Sequence, residues 1–347
     1  MHRYSWIAIA LVAAWLFGAS TPLAKLALSS ANPILVAGLL YLGSGIGLAL
    51  IRFMRSSARR ETPLSRADLP WLTGAIVVGG MAGPALLLLG LRVTPASTAS
   101  LLLNLEAVAT AGIAWLVFRE NVDRRVGIGF ALILLGGVAL SLPQGDQPSL
   151  TKGALLIAAA CLCWGIDNNL TRKISGSDPS QIAMWKGLTA GAVNTGLALA
   201  AGSHLPSLSV TMMVAAIGFL GYGVSLVLFV LALRHLGTAR TGAYFSTAPF
   251  AGAALAFAIG QGHLDWAFCG AGTLMFAGVW LHITERHEHQ HIHEPLEHEH
   301  LHRHDEHHQH SHSPGDPPGE PHAHRHRHAR LIHAHPHYPD LHHRHEH

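Results

Sequence analysis

Charged residues are scarce in this 347-residue chain, at 12% of positions against about 25% in soluble domains. Cysteine is scarcer still: Cys161, Cys163 and Cys269 are the only three, and all lie within apolar stretches. Buried free cysteines usually pack as small hydrophobic residues. This composition excludes a soluble enzyme, a disulfide scaffold and a DNA-binding domain, so no nucleic-acid partner is expected.

Apolar residues are abundant instead, at 50% of the chain. A bilayer core needs about 20 apolar residues per helix, and the runs are continuous rather than alternating, which favours helices over strands. We therefore predict an all-α integral membrane protein of ten transmembrane helices, with the lipid bilayer as its surroundings. The predicted spans are 5–27, 33–54, 70–92, 96–118, 126–142, 153–171, 180–201, 208–234, 239–260 and 266–284.

Basic residues in the short loops predict the orientation, because such residues favour the cytoplasmic side. A cytoplasmic N-terminus puts 13 basic residues inside ahead of the last predicted span and three, Lys25, Arg92 and Lys152, outside. We therefore predict a multi-pass protein of the bacterial inner membrane with both termini in the cytoplasm. The inside set is Arg3, Arg52, Arg55, Arg59, Arg60, Arg66, Arg119, Arg124, Arg125, Arg172, Lys173, Arg234 and Arg240.

The two halves of the apolar region repeat each other. Residues 15–33 align with 162–179, so that Gly18 meets Gly165, and residues 90–120 align with 232–261 at an offset of 142. Each copy would hold five spans, and an odd number gives the copies opposite orientations. Inverted repeats are typical of secondary transporters, which bind their solute near the midplane between the halves.

Several phrases in these repeats resemble the drug/metabolite transporter superfamily, whose members consist of two EamA-type domains of five helices. They are the first helix from Trp15 to Pro22, Leu91-Arg92, and the run 100–120 with its second-copy partner containing Pro249. The resemblance implies EamA-like domains at 1–142 and 143–286 and transport of a small solute by alternating access. Ala107 and Gln261 depart from the pattern and put an inherited role for Glu120 in doubt.

Ionisable side chains are rare within spans, because placing them in the bilayer costs free energy. Those that occur are functional candidates by default. Glu106 is predicted near the bilayer centre with Asn104 close by in sequence, and it is a candidate for proton coupling, cation contact or a helix contact. Asp167 and Lys186 are predicted at similar depth, so we expect them to pair, either as a structural ion pair or on the solute route.

Aromatic and polar residues near the repeat axis are further candidates for lining a cavity. Trp164 and Asn168 share a helix face with Asp167 through their spacing. Membrane Trp and Tyr also serve as interfacial anchors or packing groups, and that reading stays open. The remaining candidates are Trp15, Tyr222, Tyr244 and Ser246.

Residues 287–347 form a different segment, with 23 of the 28 histidines. Histidine alternates with other residues through it, and His-rich tracts are typical of metal binding. We predict a cytoplasmic tail that is disordered without metal and binds zinc, nickel, cobalt or copper; a pH-responsive polyelectrolyte is the alternative. The candidate ligands are His287, His289, His291, His293, His298, His300, His302, His304, His322, His324, His326 and His328.

Three functions are weighed against these observations. The first is a secondary transporter exporting a small metabolite or amino-acid-like solute, requiring no cofactor, as a monomer or homodimer. The second is a divalent metal exporter that uses the tail as buffer or sensor, and the third is a membrane anchor for a metal-storing tail. An enzyme is not expected, because the spans contain neither an H-E-x-x-H motif nor a Ser/His couple. ATP-driven transport is not expected either, because the sequence has no phosphate-binding loop.

Overall fold

The computed structural model describes two separate units of the chain, a helical body and a tail. The described residues are 3–54, 63–118, 124–142, 148–174, 177–236, 241, 244–284, 288–293, 297–302, 322–327 and 331–336. Among the residues that carry the predicted orientation, five lie outside these ranges, and so does Glu120. The five are Arg55, Arg59, Arg60, Arg119 and Arg240.

Within its described residues, the body is built from helices alone. The first repeat contains α1 (Arg3–Ala27), α2 (Pro33–Met54), a 3₁₀ turn (Arg66–Asp68), α3 (Leu69–Ala75), α4 (Gly83–Val93), α5 (Ala96–Leu102), α6 (Leu105–Phe118) and α7 (Arg124–Ser141). The second contains α8 (Pro148–Lys173), α9 (Pro179–Ala200), α10 (Leu208–Gly218), α11 (Ser225–Leu236), α12 (Ala248–Ala258) and α13 (Trp266–Ile283).

Six helical stretches of the described chain are long and apolar enough to cross a membrane. Three shorter apolar helices fall at 127–141, 248–258 and 266–281, and α9, with 22 residues, carries Lys186 in its first half. These helices fall where the apolar runs predict spans, so the protein is a multi-pass membrane protein. The count of ten spans stays a prediction.

Two of the predicted spans change their helical pitch halfway. A π-helical segment at Ile76–Ala82 joins α3 to α4, and a second one at Phe219–Val224 joins α10 to α11. Subtracting the repeat offset of 142 from the second segment gives residues 77–82, so the two wide turns occupy equivalent positions of the repeats. The fourth predicted span is also interrupted, because a turn at Leu103 and Asn104 separates α5 from α6.

Equivalent glycines bring equivalent helices into contact. A β-carbon at Gly18 of α1 would overlap the backbone of Ala248 at the start of α12, and one at Gly165 of α8 would overlap Ala109 of α6. Small residues allow such close approach of helices in membranes, where dispersion contacts stabilise the association. The pairs α1–α12 and α8–α6 therefore repeat one packing arrangement, as the aligned sequences predict.

The described part of the tail contains four strands of six residues: β1 (Glu288–His293), β2 (Glu297–His302), β3 (His322–Arg327) and β4 (Leu331–Pro336). β1 pairs antiparallel with β4, and β2 pairs antiparallel with β3. The alternation of histidine with other residues is compatible with these strands, since a period of two matches the two faces of a β-strand. The disorder predicted for 287–347 without metal stays a prediction.

Candidate functional site

The charged centre of the body is an ion pair between α8 and α9. The Lys186 ammonium donates to Asp167 Oδ2, which confirms the predicted pairing of these two residues. The side chains are 18% and 5% exposed, and the Thr171 hydroxyl donates to Asp167 Oδ1 at 3.1 Å. Asp167 therefore has a hydrogen-bond donor on each carboxylate oxygen, as a buried charge requires.

The first π-helical segment provides the space in which Asp167 lies. A β-carbon added at Gly79 would overlap the Asp167 carboxylate, so only glycine allows the close approach. The Gly79 carbonyl accepts hydrogen bonds from the Tyr41 hydroxyl at 3.1 Å and from Trp164 Nε1 at 3.0 Å. Residues of α2 and α8 thus meet at this single glycine.

Glu106 lies beside this ion pair, at the start of α6. Its carboxylate Oε1 accepts a hydrogen bond from Asn168 Nδ2 at 3.0 Å, and the same amide nitrogen lies 3.1 Å from the Thr110 hydroxyl oxygen. Asn168 follows Asp167 directly on α8, so the chain of polar groups runs from Lys186 through α8 to Glu106. An anionic side chain, a cationic one and an amide are thereby brought together at the junction of α6, α8 and α9.

Aromatic rings extend from this site toward α1, the first helix of the chain. The Tyr41 ring lies 5.5 Å from the ring of Tyr222, whose own centroid is 5.8 Å from that of Phe17 in edge-to-face geometry. Tyr222 belongs to the second π-helical segment. The rings therefore connect the two wide turns across the repeat axis, where the sequence predicts the solute site.

The other predicted candidates lie apart from this cluster. Trp15 is 55% exposed on α1, and Asn104 donates to the Leu101 carbonyl and lies 3.9 Å from Met275 Sδ on α13. Tyr244 packs against a small cluster at Ala10 and Ala232. The fourth such residue, Ser246, lies in the turn before α12.

A second polar cluster lies at the opposite ends of the helices. The Lys25 ammonium donates to the Thr94 carbonyl, and Thr94 lines a small cavity together with His263 and Asp265. Asp265 also accepts a hydrogen bond from the Phe268 amide at 2.7 Å, at the start of α13. None of the predicted candidate side chains lines this cavity.

Metal ligands do not converge within the described residues. No group of three or more His, Cys, Asp or Glu side chains there is placed to hold a metal ion. Three of the predicted tail ligands, His287, His304 and His328, lie outside the described residues. The other nine occupy β1, β2 and β3.

The sequence singles out Asp167, Lys186, Glu106, Asn168 and Trp164, and the structure brings these five together. It misses their uncharged partners: Gly79, Tyr41, Thr110 and Thr171. Thr171 was detectable, because its spacing of four from Asp167 on one helix places the two on the same face. Gly79 also gave a local signal, because Gly79 and Gly83 fit the G-x-x-x-G spacing that permits close helix approach. Tyr41 gave none, because its part depends on how α2 packs against the first π-helical segment.

Comparison with known proteins agrees with this architecture. The EamA-like transporter family matches residues 4–142 and 151–284, one match for each repeat. A protein of Methanothermobacter thermautotrophicus described as an uncharacterized transporter is 29% identical over 298 residues, which cover 80% of this chain and 86% of that protein. A crystal structure 19% identical in sequence aligns with a TM-score of 0.57 over 80% of this chain and 95% of that one, and it shows the same fold. The chain therefore belongs to the EamA-like transporter family and is a membrane transporter of the drug/metabolite type.

Proposed function

We propose that this protein is a secondary transporter of the bacterial inner membrane that exports a small metabolite or amino-acid-like solute by alternating access. The observation that carries the proposal is the ion pair between Lys186 and Asp167, placed beside Glu106 and Asn168 at the junction of α6, α8 and α9. Buried charges are costly within a membrane and mark solute or ion pathways.

The chemistry of this cluster suits a solute that carries charge of both signs. Lys186 offers a cation to a carboxylate of the solute, and Asp167 offers an anion to an amino group. The Asn168 amide and the Thr110 hydroxyl add neutral hydrogen-bonding groups next to them. A zwitterionic solute can therefore exchange its own charges for the internal ion pair, leaving neither buried charge uncompensated.

Glu106 is the group that we propose for proton coupling. It is a carboxyl group within a helical stretch that can cross the membrane, and it accepts its hydrogen bond from Asn168 rather than from a cation. Because Glu106 has no direct cationic partner among the described residues, it can gain a proton without breaking an ion pair seen there. Protonation of Glu106 on one side and its release on the other would couple export to the proton gradient.

The tail is proposed to bind a divalent transition metal on the cytoplasmic side. Its strand register supports this, because histidine lies opposite histidine at five positions of the two ladders: His289 with His335, His291 with His333, His298 with His326, His300 with His324, and His302 with His322. Several imidazole groups at adjacent positions suit zinc, nickel, cobalt or copper. The metal would act as a modulator of the transporter, and export of the metal itself has less support, since no ligand cluster is found among the described residues of the body.

A growth assay in exporter-deficient bacteria tests the proposal. Cells would carry vector, the full chain, Asp167→Asn, Glu106→Gln, or the chain stopped after Arg286, and would face graded amino acids, their toxic analogues, nickel, cobalt, zinc and copper. We expect resistance to one organic solute that Asp167→Asn abolishes and the truncation preserves. Asp265→Asn is the matched control, because Asp265 lies near the opposite helix ends and asparagine also caps helices. Resistance to metals alone would contradict the proposal.

A further inference from the structure

The carbonyl oxygen of Gly79 has lost its usual partners within the helix. In an α-helix it would accept from the amide of Gly83, but that amide donates to the Val78 carbonyl, in the wide π pattern. The π pattern would instead give Gly79 the amide of residue 84. Residue 84 is a proline, which has no N–H to donate.

Two side chains from other helices take the place of these backbone donors. The Tyr41 hydroxyl reaches the Gly79 carbonyl from α2, and the Trp164 indole reaches it from α8. Both residues are buried, so the two hydrogen bonds are shielded from water. A buried carbonyl needs such partners, because an unsatisfied one costs about 1–3 kcal/mol.

The second π-helical segment lacks this arrangement although its backbone is alike. There the Ser225 amide donates to the Leu220 carbonyl, just as Gly83 donates to Val78. Gly221 is the equivalent of Gly79, but the residue five positions later is Leu226 rather than a proline. Leucine retains its backbone N–H, so Gly221 does not depend on side chains for a donor.

We propose that Tyr41 and Trp164 form a latch on the Gly79 carbonyl, which holds the first π-helical segment against α2 and α8. This inference rests on the proposed alternating access, because the latch matters only if those helices separate during transport. Trp164 and Asp167 are three residues apart on α8, so the latch also holds Asp167 in the place that the missing side chain of Gly79 leaves open. Opening the latch would separate the ion pair of Asp167 and Lys186 from Gly79.

The difference between the repeats gives the latch a consequence. In an inverted repeat the two halves exchange conformations when the protein changes the side to which it opens. The first repeat holds its π-helical segment with side-chain hydrogen bonds to Gly79, whereas the second has a backbone N–H available for Gly221. The inward-open and outward-open states therefore differ in free energy. The latch therefore favours the closed contact of the first π-helical segment with α8 over its opened counterpart.

Thiol labelling tests the latch without requiring a known solute. The reporter is Leu72→Cys, because Leu72 is 5% exposed and packs in one cluster with Ile174 and with the latch residue Tyr41. The full chain would be held in lipid nanodiscs with Cys161 changed to alanine and Cys163 and Cys269 to serine, so that the reporter is the only thiol. The labelling rate with a water-soluble maleimide would be measured. Tyr41→Phe, Trp164→Phe and Pro84→Ala are the test variants, and Ser225→Ala is the control.

Each test variant weakens the latch by a different route. Tyr41→Phe and Trp164→Phe keep an aromatic ring and remove one donor each. Pro84→Ala keeps both donors but restores a backbone N–H, which competes for the two lone pairs of the Gly79 carbonyl. The control removes one hydroxyl that donates to the Ala13 carbonyl at 2.8 Å beside the second π-helical segment.

We expect the labelling rate to rise about two- to tenfold in each test variant, the range that one net hydrogen bond provides, and to stay within twofold in Ser225→Ala. An unchanged rate in Pro84→Ala or in Tyr41→Phe would overturn the latch, and so would an equal rise in Ser225→Ala, which would indicate general loosening. If transport fails in every growth assay while labelling follows the expected pattern, the proposed function is wrong and the latch stands as a property of the fold.

Discussion

Lys186 on α9 donates to the carboxylate of Asp167 on α8, and Asp167 lies against the bare α-carbon of Gly79. The ion pair therefore joins three elements at one point. A buried ion pair is weak evidence for stability, since replacing both charges is often neutral, whereas removing one leaves an uncompensated charge. Single and double substitutions of the pair should therefore differ in their effect on the free energy of unfolding.

Single and double substitutions of the pair should behave very differently. We expect Lys186→Met to lower the free energy of unfolding by about 3–5 kcal/mol, because Asp167 is left buried and charged. The double variant Asp167→Asn with Lys186→Met should recover most of that loss and yet remain inactive in transport. Thermal unfolding in detergent, monitored by size-exclusion chromatography, measures the stability of both variants. A double variant no more stable than Lys186→Met would contradict the assignment of Asp167 as the buried charge that Lys186 compensates.

Glu106→Gln should separate folding from coupling. Glutamine keeps an oxygen that accepts from Asn168, so we expect stability to change by no more than about 1 kcal/mol. It cannot ionise, so transport should no longer respond to an imposed pH gradient. The measurement is solute flux in proteoliposomes with and without the gradient, with Asp265→Asn as the control. Flux that still follows the gradient in Glu106→Gln would exclude Glu106 as the coupling group.

The start of α9 predicts a pH dependence of stability. Asp178 caps the helix through the Ser180 amide at 2.9 Å and forms an ion pair with Arg52 at 2.5 Å. Burial alone would raise the pKa of the Asp178 carboxyl, but hydrogen bonds from Ser180 and Arg52 outweigh burial and lower that pKa below its usual value. The folded pKa therefore lies below the unfolded value of about 3.9.

A lowered folded pKa fixes the sign of the effect. The contribution of Asp178 to stability is complete above the unfolded pKa and is lost as the pH falls through the folded pKa. Asp178→Asn keeps a capping oxygen but removes the charge, so we expect its unfolding temperature to fall less steeply below about pH 4. Parallel unfolding curves for the two proteins from pH 6 to pH 3 would show that Asp178 is not responsible.

Close helix packing predicts which glycines tolerate a methyl group. A β-carbon at Gly218 would overlap the backbone carbonyl of Leu40, whereas one at Gly196 would meet nothing within 4 Å. Gly218→Ala should therefore destabilise by at least about 2 kcal/mol through overpacking. Gly196→Ala should stabilise by about 0.5–1 kcal/mol through its helix propensity. Thermal unfolding of both variants measures the contrast, and similar unfolding temperatures would contradict the packing of α10 against α2.

Much of the helical body could be predicted from the sequence, because membrane helices are long, continuously apolar runs that each satisfy their own backbone. The pairing of Asp167 with Lys186 was predictable for a related reason: two opposite charges at similar depth have few other partners. The π-helical segments were not predictable, because Gly79 depends on donors from Tyr41 and Trp164, which lie on other helices. The break at Asn104 was not predicted either; there the Asn104 side chain donates to the Leu101 carbonyl of the same turn.

The register of the tail predicts which histidines act together on a metal. His300 lies opposite His324 in the β2–β3 ladder, whereas His291 belongs to the β1–β4 ladder. A metal site formed by two histidines loses most of its affinity for the ion when either histidine is removed. The effects of His300→Ala and His324→Ala on nickel or zinc affinity should therefore not add. The pair His300→Ala and His291→Ala, from different ladders, should show additive losses. Isothermal titration of the full chain in detergent measures these affinities. As a control, the chain stopped after Arg286 should bind no metal. Additive losses in both pairs would mean that the ladders do not form the binding sites.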